Sequence, residues 1–244
     1  MLKYIFMNTF KKSESNLGHS LKLPIAIDIK EMQREFEDVV KANCIPSVSD
    51  NKKRKGWKKY VIYRHPEYLR PDSNEDFVYS QLPYLNKIIS EKLKGSVLVA
   101  AVYAIIPPQG FVGLHQDAIG SNSSLLKKRI EDTVRLHIPI YTNKETMLYI
   151  GNQFQRMLEG ELWMLNNYSY HGVLNQNENL SRNHLIFDVI PSPDFLHYLE
   201  SIPDPKGFKN AKVLKHLLQN SNENKVEAFK NQLPLLEKLK LNFA

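Results

Sequence analysis

Residues 96–191 alternate short apolar segments with turn residues, and this alternation limits the possible folds more than any other feature of the sequence. Residues 96–106 form an almost unbroken apolar run, which is typical of a buried strand. The sequence Pro107-Pro-Gln-Gly110 ends that run. Further short strands are predicted at residues 111–117, 134–141, 146–150, 161–165, 171–175 and 183–190. Many short strands separated by Gly, Pro and Asn favour a β-sandwich or closed barrel over a parallel α/β sheet.

Helical patterns precede this β-rich region. Residues 31–40 and residues 82–93 place apolar side chains at helical spacing, which predicts an amphipathic helix in each segment. Residues 57–64 are rich in aromatic and β-branched side chains, and we predict a strand there. The polar and basic residues 43–55 are predicted to form a loop.

The sequence becomes helical again after Pro191. Two apolar stripes at helical spacing consist of Val213, Leu214, Leu217 and Leu218, and of Val226, Phe229, Leu233, Leu236 and Leu239. We interpret them as packing faces rather than as a surface for a partner. We therefore expect residues 1–192 to contain the N-terminal support elements and the β core, and residues 193–244 to form a helical extension packed on that core.

Composition and charge exclude several classes of protein. The chain carries a net charge of +7, but its lysines fall in short runs such as residues 52–55 and 127–129, which are typical of a solvated surface rather than of a nucleic-acid track. A single cysteine, Cys44, excludes an internal disulfide framework and a cysteine-rich zinc site. Neither a signal-peptide pattern nor a run of ~20 apolar residues is present. We expect a cytoplasmic protein that does not enter a membrane.

The spacing of His115 and Asp117 predicts part of a metal site. Residues two apart in a β-strand point to the same face, so both side chains can reach one ion while Gln116 points away. A third ligand from a distant strand would complete a triad of two histidines and one carboxylate, which is the usual host of non-haem Fe(II) oxygenase chemistry. His171, which follows a polar turn and begins an apolar stretch, is the candidate third ligand.

Two later strands carry basic groups on one face. Arg135 and His137 share a face, and Arg182, His184 and Asp188 share another. One interpretation is that these are the solvated faces of two sandwich strands. The other places them inside a barrel, where a buried guanidinium requires an anion and can bind a carboxylate through two parallel hydrogen bonds. Periodicity does not choose between the two interpretations.

Taken together, the motifs of residues 96–191 resemble the aspartyl/asparaginyl β-hydroxylase family, whose relatives include bacterial proline cis-hydroxylases. The matching motifs are His115-x-Asp117, Arg135-Leu-His137-Ile-Pro139, Gly160-Glu-Leu-Trp163, His171 with Asn175 four residues later, and Arg182-x-His184-Leu-x-x-Asp188. The resemblance implies a mainly β protein with flanking helices, in which the catalytic core is a double-stranded β-helix, a cupin-like jelly roll.

The resemblance also implies roles for single residues. His115, Asp117 and His171 would bind Fe(II) and form the catalytic centre. Arg182 would hold the distal carboxylate of the co-substrate 2-oxoglutarate. Arg135 and His137 would help to hold the co-substrate and order the pocket. Two further residues, predicted to support the site or to be structural, are Asn175 and Asp188.

The implied reaction uses Fe(II), 2-oxoglutarate and O2 to hydroxylate an unactivated C–H bond, with release of succinate and CO2. The expected substrate is a free amino acid or an amino-acid residue of a peptide or protein. Asn166 stands where relatives often carry an acidic residue, which leaves the identity of the substrate open, together with the carbon attacked and the oligomeric state.

Two alternatives remain beside this hypothesis. The first is a non-catalytic, cupin-like binding protein that keeps the fold without turnover. The second is a nucleic-acid-directed oxygenase with the same iron chemistry. The residues after Arg182 do not match the arginine-rich stretch of such enzymes, and the basic runs have few aromatic side chains on which bases could stack.

Overall fold

The structure is a computed structural model that describes residues 17–42, 47–51, 53–65, 82–117, 128, 131–221 and 229. The strands are β1 Ser20–Leu23, β2 Ser47–Asn51, β3 Arg54–Arg64, β4 Val97–Ile106, β5 Phe111–His115, β6 Val134–Tyr141, β7 Thr146–Ile150, β8 Gln153–Gln155, β9 Leu162–Leu165, β10 His171–Asn175 and β11 Arg182–Ile190. The helices with defined bounds are α1 Ile29–Lys41, α2 Pro83–Lys92, α3 Pro193–Glu200 and α4 Ala211–Gln219.

The strands form one antiparallel sheet that curls so that its two halves face each other. Its order is β1-β9-β6-β11-β4-β3-β5-β10-β7-β8, with β2 paired to β3, and β3 links the halves by pairing with both β4 and β5. Apolar side chains from both halves meet in the interior between them: Ile106, Val112, Leu148, Ile150, Met157, Trp163, Leu165 and Val173. The predicted mainly β fold with a double-stranded β-helix core, or jelly roll, is confirmed.

The predicted strands agree closely with the observed ones. The bounds of β6, β7 and β10 are as predicted, and those of β9 and β11 differ by one residue. Strand β5 ends at His115, two residues before its predicted end. The loop predicted at residues 43–55 is wrong in part, because β2 and the start of β3 form a hairpin there. An edge strand without apolar alternation, such as β2, leaves no period-2 signal in the sequence.

Helices cover the outer faces of both halves of the sheet. On one half, α1, α2 and α3 pack their apolar faces against β6 and β11, with Met32, Leu85 and Phe195 fully buried. On the other half, α4 packs against β5, β7 and β10, and Phe229 joins the same cluster. The other residues of the second predicted stripe lie outside the described residues, and the division of the chain after residue 192 stays a prediction. Across the described part of the chain, each helix is too short or too polar to cross a membrane.

A β-bulge at Gly113 determines which way the end of β5 faces. The register of β10 against β5 pairs His171 with His115 and Val173 with Val112, so two residues of β5, Gly113 and Leu114, lie opposite one residue of β10, Gly172. Val112 faces the interior and Leu114 faces the outer cluster around α4. The extra residue reverses the alternation, as bulges do, and turns His115 towards the interior.

Glu35 links α1 to the beginning of α2. Helix α2 has Leu82 at its N-cap, without a side-chain hydrogen bond to its free N–H groups. The buried carboxylate of Glu35 accepts hydrogen bonds from the backbone N–H groups of Tyr84 at 2.6 Å and Leu85 at 3.4 Å instead. Burial raises the pKa of Glu35 to about 7, although these two hydrogen bonds oppose the rise.

We predict that Glu35 makes the protein less stable as pH rises from 4.5 to 7. The native state binds more protons than the unfolded state between the ordinary pKa of 4.5 and the folded value of about 7. The stability contributed by the protonated group is therefore complete below pH 4.5 and is lost as pH rises through 7, by at most about 3 kcal/mol. Urea unfolding of the wild type and of Glu35→Gln at pH 5 and pH 8 measures this contribution.

Glu91→Gln, at an exposed position of α2, is the control for this measurement and should keep the pH dependence of the wild type. Glu35→Gln should reduce that dependence. An equal loss of unfolding free energy between pH 5 and pH 8 in Glu35→Gln and the wild type would contradict the assignment.

We also predict that Gly113→Ala strongly destabilises the protein. A Cβ atom at this position would overlap the backbone oxygen of Asn220 and lie 3.0 Å from its carbonyl carbon, so the end of α4 would have to move away from β5. Overpacking of this kind costs about 3 kcal/mol, measured as the free energy of unfolding in urea. Gly95→Ala is the comparison, because its methyl group meets no atom within 4 Å and its positive φ of 80° should cost only about 1–2 kcal/mol. Equal losses in the two variants would show that the contact with Asn220 does not matter.

Candidate metal centre

The site begins with two histidines that face each other across neighbouring strands. His115 of β5 lies directly opposite His171 of β10, and their ring centroids are 4.2 Å apart. The Nδ1 atom of His115 lies 2.8 Å from the backbone oxygen of Gly113, and that of His171 lies 2.9 Å from the backbone oxygen of Ser169. A carbonyl oxygen only accepts, so each Nδ1 carries the proton and each Nε2 keeps its lone pair.

Asp117 completes the cluster from a bend just beyond β5. Its backbone N–H donates to the backbone oxygen of Asn167 at 3.1 Å, which holds the bend against the turn before β10. Its Oδ1 atom lies 3.6 Å from Nε2 of His115 and 4.0 Å from Nε2 of His171. One potential ligand atom from each residue lies within 4.8 Å of the others. The structure thus brings the three predicted ligands together, although Asp117 is not in the strand where the sequence placed it.

The electrostatics of the cluster keep His115 and Asp117 in the form that binds a cation. Burial, together with the neighbouring His171, lowers the pKa of His115 to about 3, so this imidazole is neutral at physiological pH. Burial alone would raise the pKa of Asp117, but Arg135 and the two histidines outweigh it and hold that pKa below its usual range. Neutral imidazoles and an ionised carboxylate are the donors that a divalent metal requires.

The polar faces of β6 and β11 lie inside the barrel. Arg135 and His137 pair in register with Leu165 and Trp163, and Arg182 pairs with Ile106. Their partners belong to the interior apolar cluster, and directly paired residues of an antiparallel sheet share a face. Between these two interpretations of the alternating pattern, the structure therefore supports the interior one.

Arg135 lies between two carboxylates. Its Nε and Nη2 atoms donate to the two oxygens of Asp188 at 2.8 and 3.0 Å, and its Nη1 atom donates to Oδ2 of Asp117. Burial would lower the pKa of Arg135, but the two carboxylates outweigh it and raise that pKa above its usual value. Both edges of the Arg135 guanidinium are thus occupied by carboxylates. Its predicted role in holding a co-substrate stays a prediction.

Arg182 has a different environment. It is 3% exposed, and its Nη2 atom donates to Nδ1 of His184 at 2.6 Å. Among the described residues its Nε–H has no hydrogen-bond partner. Burial lowers the pKa of Arg182 to about 9, so it is still a cation at neutral pH. A buried cation with an unused donor is unfavourable unless an anion joins it.

Two neutral histidines extend this basic pocket. His184 and His137 are 2% and 6% exposed, and burial and then Arg182 hold both pKa values well below 6.5. Because Nδ1 of His184 accepts from Arg182, its Nε2 carries the proton, and within the described part of the chain that N–H has no acceptor. Within the same described residues, Nδ1 of His137 is also buried and has no hydrogen-bond partner. The pocket therefore offers unused polar atoms beside the metal cluster.

Asn175 and Asn167 have supporting positions. Asn175 is fully buried; its Nδ2 atom donates to the backbone oxygens of Pro107 and Leu180, and its Oδ1 atom accepts from Asn143 and Thr146. It joins loops at one end of the barrel and does not touch the metal cluster.

Asn167 contacts Asp117 through its backbone oxygen and, at 3.3 Å, through its Nδ2 atom. Asn167 is not recognisable as a site residue in the sequence, because a contact between positions 50 apart leaves no local pattern.

The comparisons agree with this geometry. The sequence model of the family described as Aspartyl/Asparaginyl beta-hydroxylase matches residues 27–191, about two thirds of the chain. No curated protein matches the chain in sequence. An oxidoreductase of the 2OG-Fe(II) oxygenase family from Burkholderia pseudomallei is similar in structure, with a TM-score of 0.52, 14% identity and coverage of 70% of this chain and 85% of that one. This likeness concerns the fold.

A prolyl-4-hydroxylase from Pseudomonas putida is a more distant structural match. It has a TM-score of 0.45 and 13% identity, and the alignment covers 71% of this chain and 93% of that chain. The family match includes all three residues of the metal cluster and extends upstream of the region where the sequence motifs lie. The chain belongs to the aspartyl/asparaginyl β-hydroxylase family and is an enzyme, a hydroxylase.

Proposed function

We propose that this enzyme uses Fe(II), 2-oxoglutarate and O2 to hydroxylate an unactivated C–H bond of an amino acid or of an amino-acid residue in a peptide or protein, with release of succinate and CO2. One observation carries the proposal. The barrel interior holds a cluster of two histidines and one carboxylate and also a buried arginine, Arg182, whose Nε–H has no partner among the described residues. The first group suits the metal and the second suits a carboxylate of the co-substrate.

The donor set supports iron as the metal. Two imidazoles and one carboxylate on one side of an ion leave its other positions open for a chelating co-substrate and for dioxygen, as in non-haem Fe(II) oxygenases. When bound, Fe(II) supplies the dioxygen chemistry that side chains cannot perform. His115 and His171 are held by their backbone hydrogen bonds with Nε2 directed at the ion, and Asp117 contributes Oδ1.

The basic pocket supports a dicarboxylate as co-substrate. Arg182 is positioned to bind the distal carboxylate with its unused Nε–H, and the Nε2–H of His184 can donate to the same anion. Such a pair would restore the charge balance and the hydrogen bonds that burial otherwise removes. His137 carries no charge and lies next to His184, with ring centroids 6.0 Å apart. It interacts electrostatically with Arg182 on one side and with His171 and Asp117 on the other, so it would lie between the co-substrate and the metal.

The family supports an amino-acid or peptide substrate. Its description names aspartyl and asparaginyl residues as the groups that are hydroxylated. The side chains of this enzyme would hold the substrate over the open side of the ion and keep water away, because the cluster lies at an interior lined by apolar residues.

Anaerobic reconstitution with Fe(II) tests the proposal. Addition of 2-oxoglutarate to the wild type should produce a weak visible metal-to-ligand charge-transfer band, and His115→Ala, with one ligand removed, should produce none. A succinate-release screen over free amino acids and peptides follows from a positive result. A folded, iron-loaded wild type that gives no band would contradict the proposal and favour the alternative, a non-catalytic, cupin-like binding protein.

Arg182→Lys should raise the KM for 2-oxoglutarate by about 10-fold or more, because a lysine keeps the charge but loses the planar fork, and a hydrogen bond to a charged group contributes about 1.5–3 kcal/mol. Iron binding should stay near that of the wild type, since Arg182 does not contact the metal cluster. Initial rates at varied 2-oxoglutarate, and Fe(II) titration, measure the two effects. Arg156→Lys, at an exposed position, serves as the control. An unchanged KM in Arg182→Lys would remove this role.

A further inference from the structure

The contacts of Arg135 point to a role that acts through the metal ligand rather than on the co-substrate. All three nitrogen atoms of its guanidinium are engaged: Nε and Nη2 by Asp188, and Nη1 by Asp117. Asp188 is 3% exposed, so this ion pair is withdrawn from solvent. A planar guanidinium held on one edge by two parallel hydrogen bonds has a fixed orientation.

The carboxylate of Asp117 is divided between two sets of neighbours. Its Oδ2 atom accepts from Arg135 and, at 3.3 Å, from Nδ2 of Asn167. Its Oδ1 atom faces Nε2 of His115 and of His171. With Oδ2 occupied by two donors, only Oδ1 is directed at the position where the histidine nitrogens converge.

We propose that Arg135 is a positioning residue that restricts Asp117 to binding the metal through one oxygen, with Asp188 as the anchor of the guanidinium. This inference rests on the proposed function, because it assumes a metal at His115, Asp117 and His171. One-oxygen binding would keep a coordination position open for dioxygen beside the co-substrate, and a carboxylate bound through both oxygens would occupy that position. The arginine thereby influences how many positions of the ion are available without touching the ion itself.

The same geometry explains why a lysine cannot replace Arg135. An ammonium group is a single point of charge and has no second edge, so it can pair with Asp188 but cannot hold Asp117 in a fixed orientation at the same time. Groups that orient a metal ligand typically contribute 10–100-fold to metal affinity or activity. Arg135→Lys therefore changes the orientation of Asp117 while it keeps the charge of the interior.

Co(II) is the probe for the experiment, because its visible absorption weakens as its coordination number rises. Calorimetric titration gives the dissociation constant of Co(II), its absorption spectrum reports the coordination, and a second titration gives the dissociation constant of 2-oxoglutarate on the loaded protein. We expect Arg135→Lys to weaken Co(II) binding about 10-fold or more and to lower the visible absorption, while 2-oxoglutarate binding to the loaded protein stays within about 3-fold of the wild type. Asp188→Asn replaces one of the two carboxylate oxygens that accept from Arg135 and leaves Asp117 unchanged. It should loosen the guanidinium and therefore change the spectrum in the same direction.

Arg182→Lys is the matched control, since it makes the same substitution at another buried arginine of the barrel interior. It should weaken 2-oxoglutarate binding and leave the Co(II) titration and spectrum unchanged. If Arg135→Lys behaves like Arg182→Lys, Arg135 holds the co-substrate and the positioning role is wrong. If Arg135→Lys does not fold, Asp188→Asn decides alone, and a wild-type spectrum in that variant overturns the role.

Co(II) binding to the wild type distinguishes a failure of the proposed function from a failure of the positioning role of Arg135. A wild-type protein that binds no Co(II) overturns the proposed function and this inference with it. A wild type that binds Co(II), with Arg135→Lys and Asp188→Asn identical to it in spectrum and affinity, overturns the inference alone.

Discussion

Compensation of buried charge is the constraint on which the interior of this barrel depends. Ionisable side chains occupy positions that a jelly roll normally fills with apolar residues, and each must find a partner inside a region of low dielectric constant. Asp188 and Arg135 compensate each other through two parallel hydrogen bonds. Asp117 is compensated by Arg135 only in part, so its second oxygen remains available for a cation. The excess of negative charge at the cluster and of positive charge at Arg182 is the pattern that the proposed metal and the proposed anionic co-substrate would compensate.

The backbone decides where the two imidazoles of the cluster point. The bulge at Gly113 turns His115 inward, and the backbone oxygens of Gly113 and Ser169 orient the two imidazoles through Nδ1. Asp117 is held by its own N–H on Asn167. The carboxylate of Asp117 also depends on the side chains of Arg135 and Asn167, but the orientation of the two imidazoles is part of the sheet. It is correspondingly sensitive to any residue that disturbs the bulge, and only glycine fits against Asn220 at that position.

The strands could be predicted well because short apolar runs bounded by Gly, Pro and Asn are typical of buried strands, and six segments of this region have that form. The three side chains that meet in the cluster could be named in advance because the His-x-Asp motif and the later histidine match the family pattern; their role as metal ligands stays a proposal. The sequence could not predict that β5 ends at His115, because the bulge depends on the fit of Gly113 against the end of α4, over 100 residues away. Nor could it find Asn167, whose contact with Asp117 exists only after the sheet has closed. Local patterns therefore identify the residues of this site, and tertiary packing sets their directions.

Arg135 and Arg182 show most clearly that the same local sequence pattern can lead to different environments. Both are arginines two positions before a histidine, on strands with the same alternation, and both face the interior. Carboxylates on both edges raise the pKa of Arg135, whereas burial without a carboxylate contact within the described residues lowers that of Arg182 to about 9. The difference lies in the register of β11: Asp188 pairs with Arg135, while Arg182 lies opposite Ile106. Because one strand supplies both the carboxylate that saturates Arg135 and the cation that stays unsaturated, a shift of that strand by one residue would abolish both functions together. The register of β11 therefore determines both the pairing of Arg135 with Asp188 and the position of Arg182 in the barrel interior.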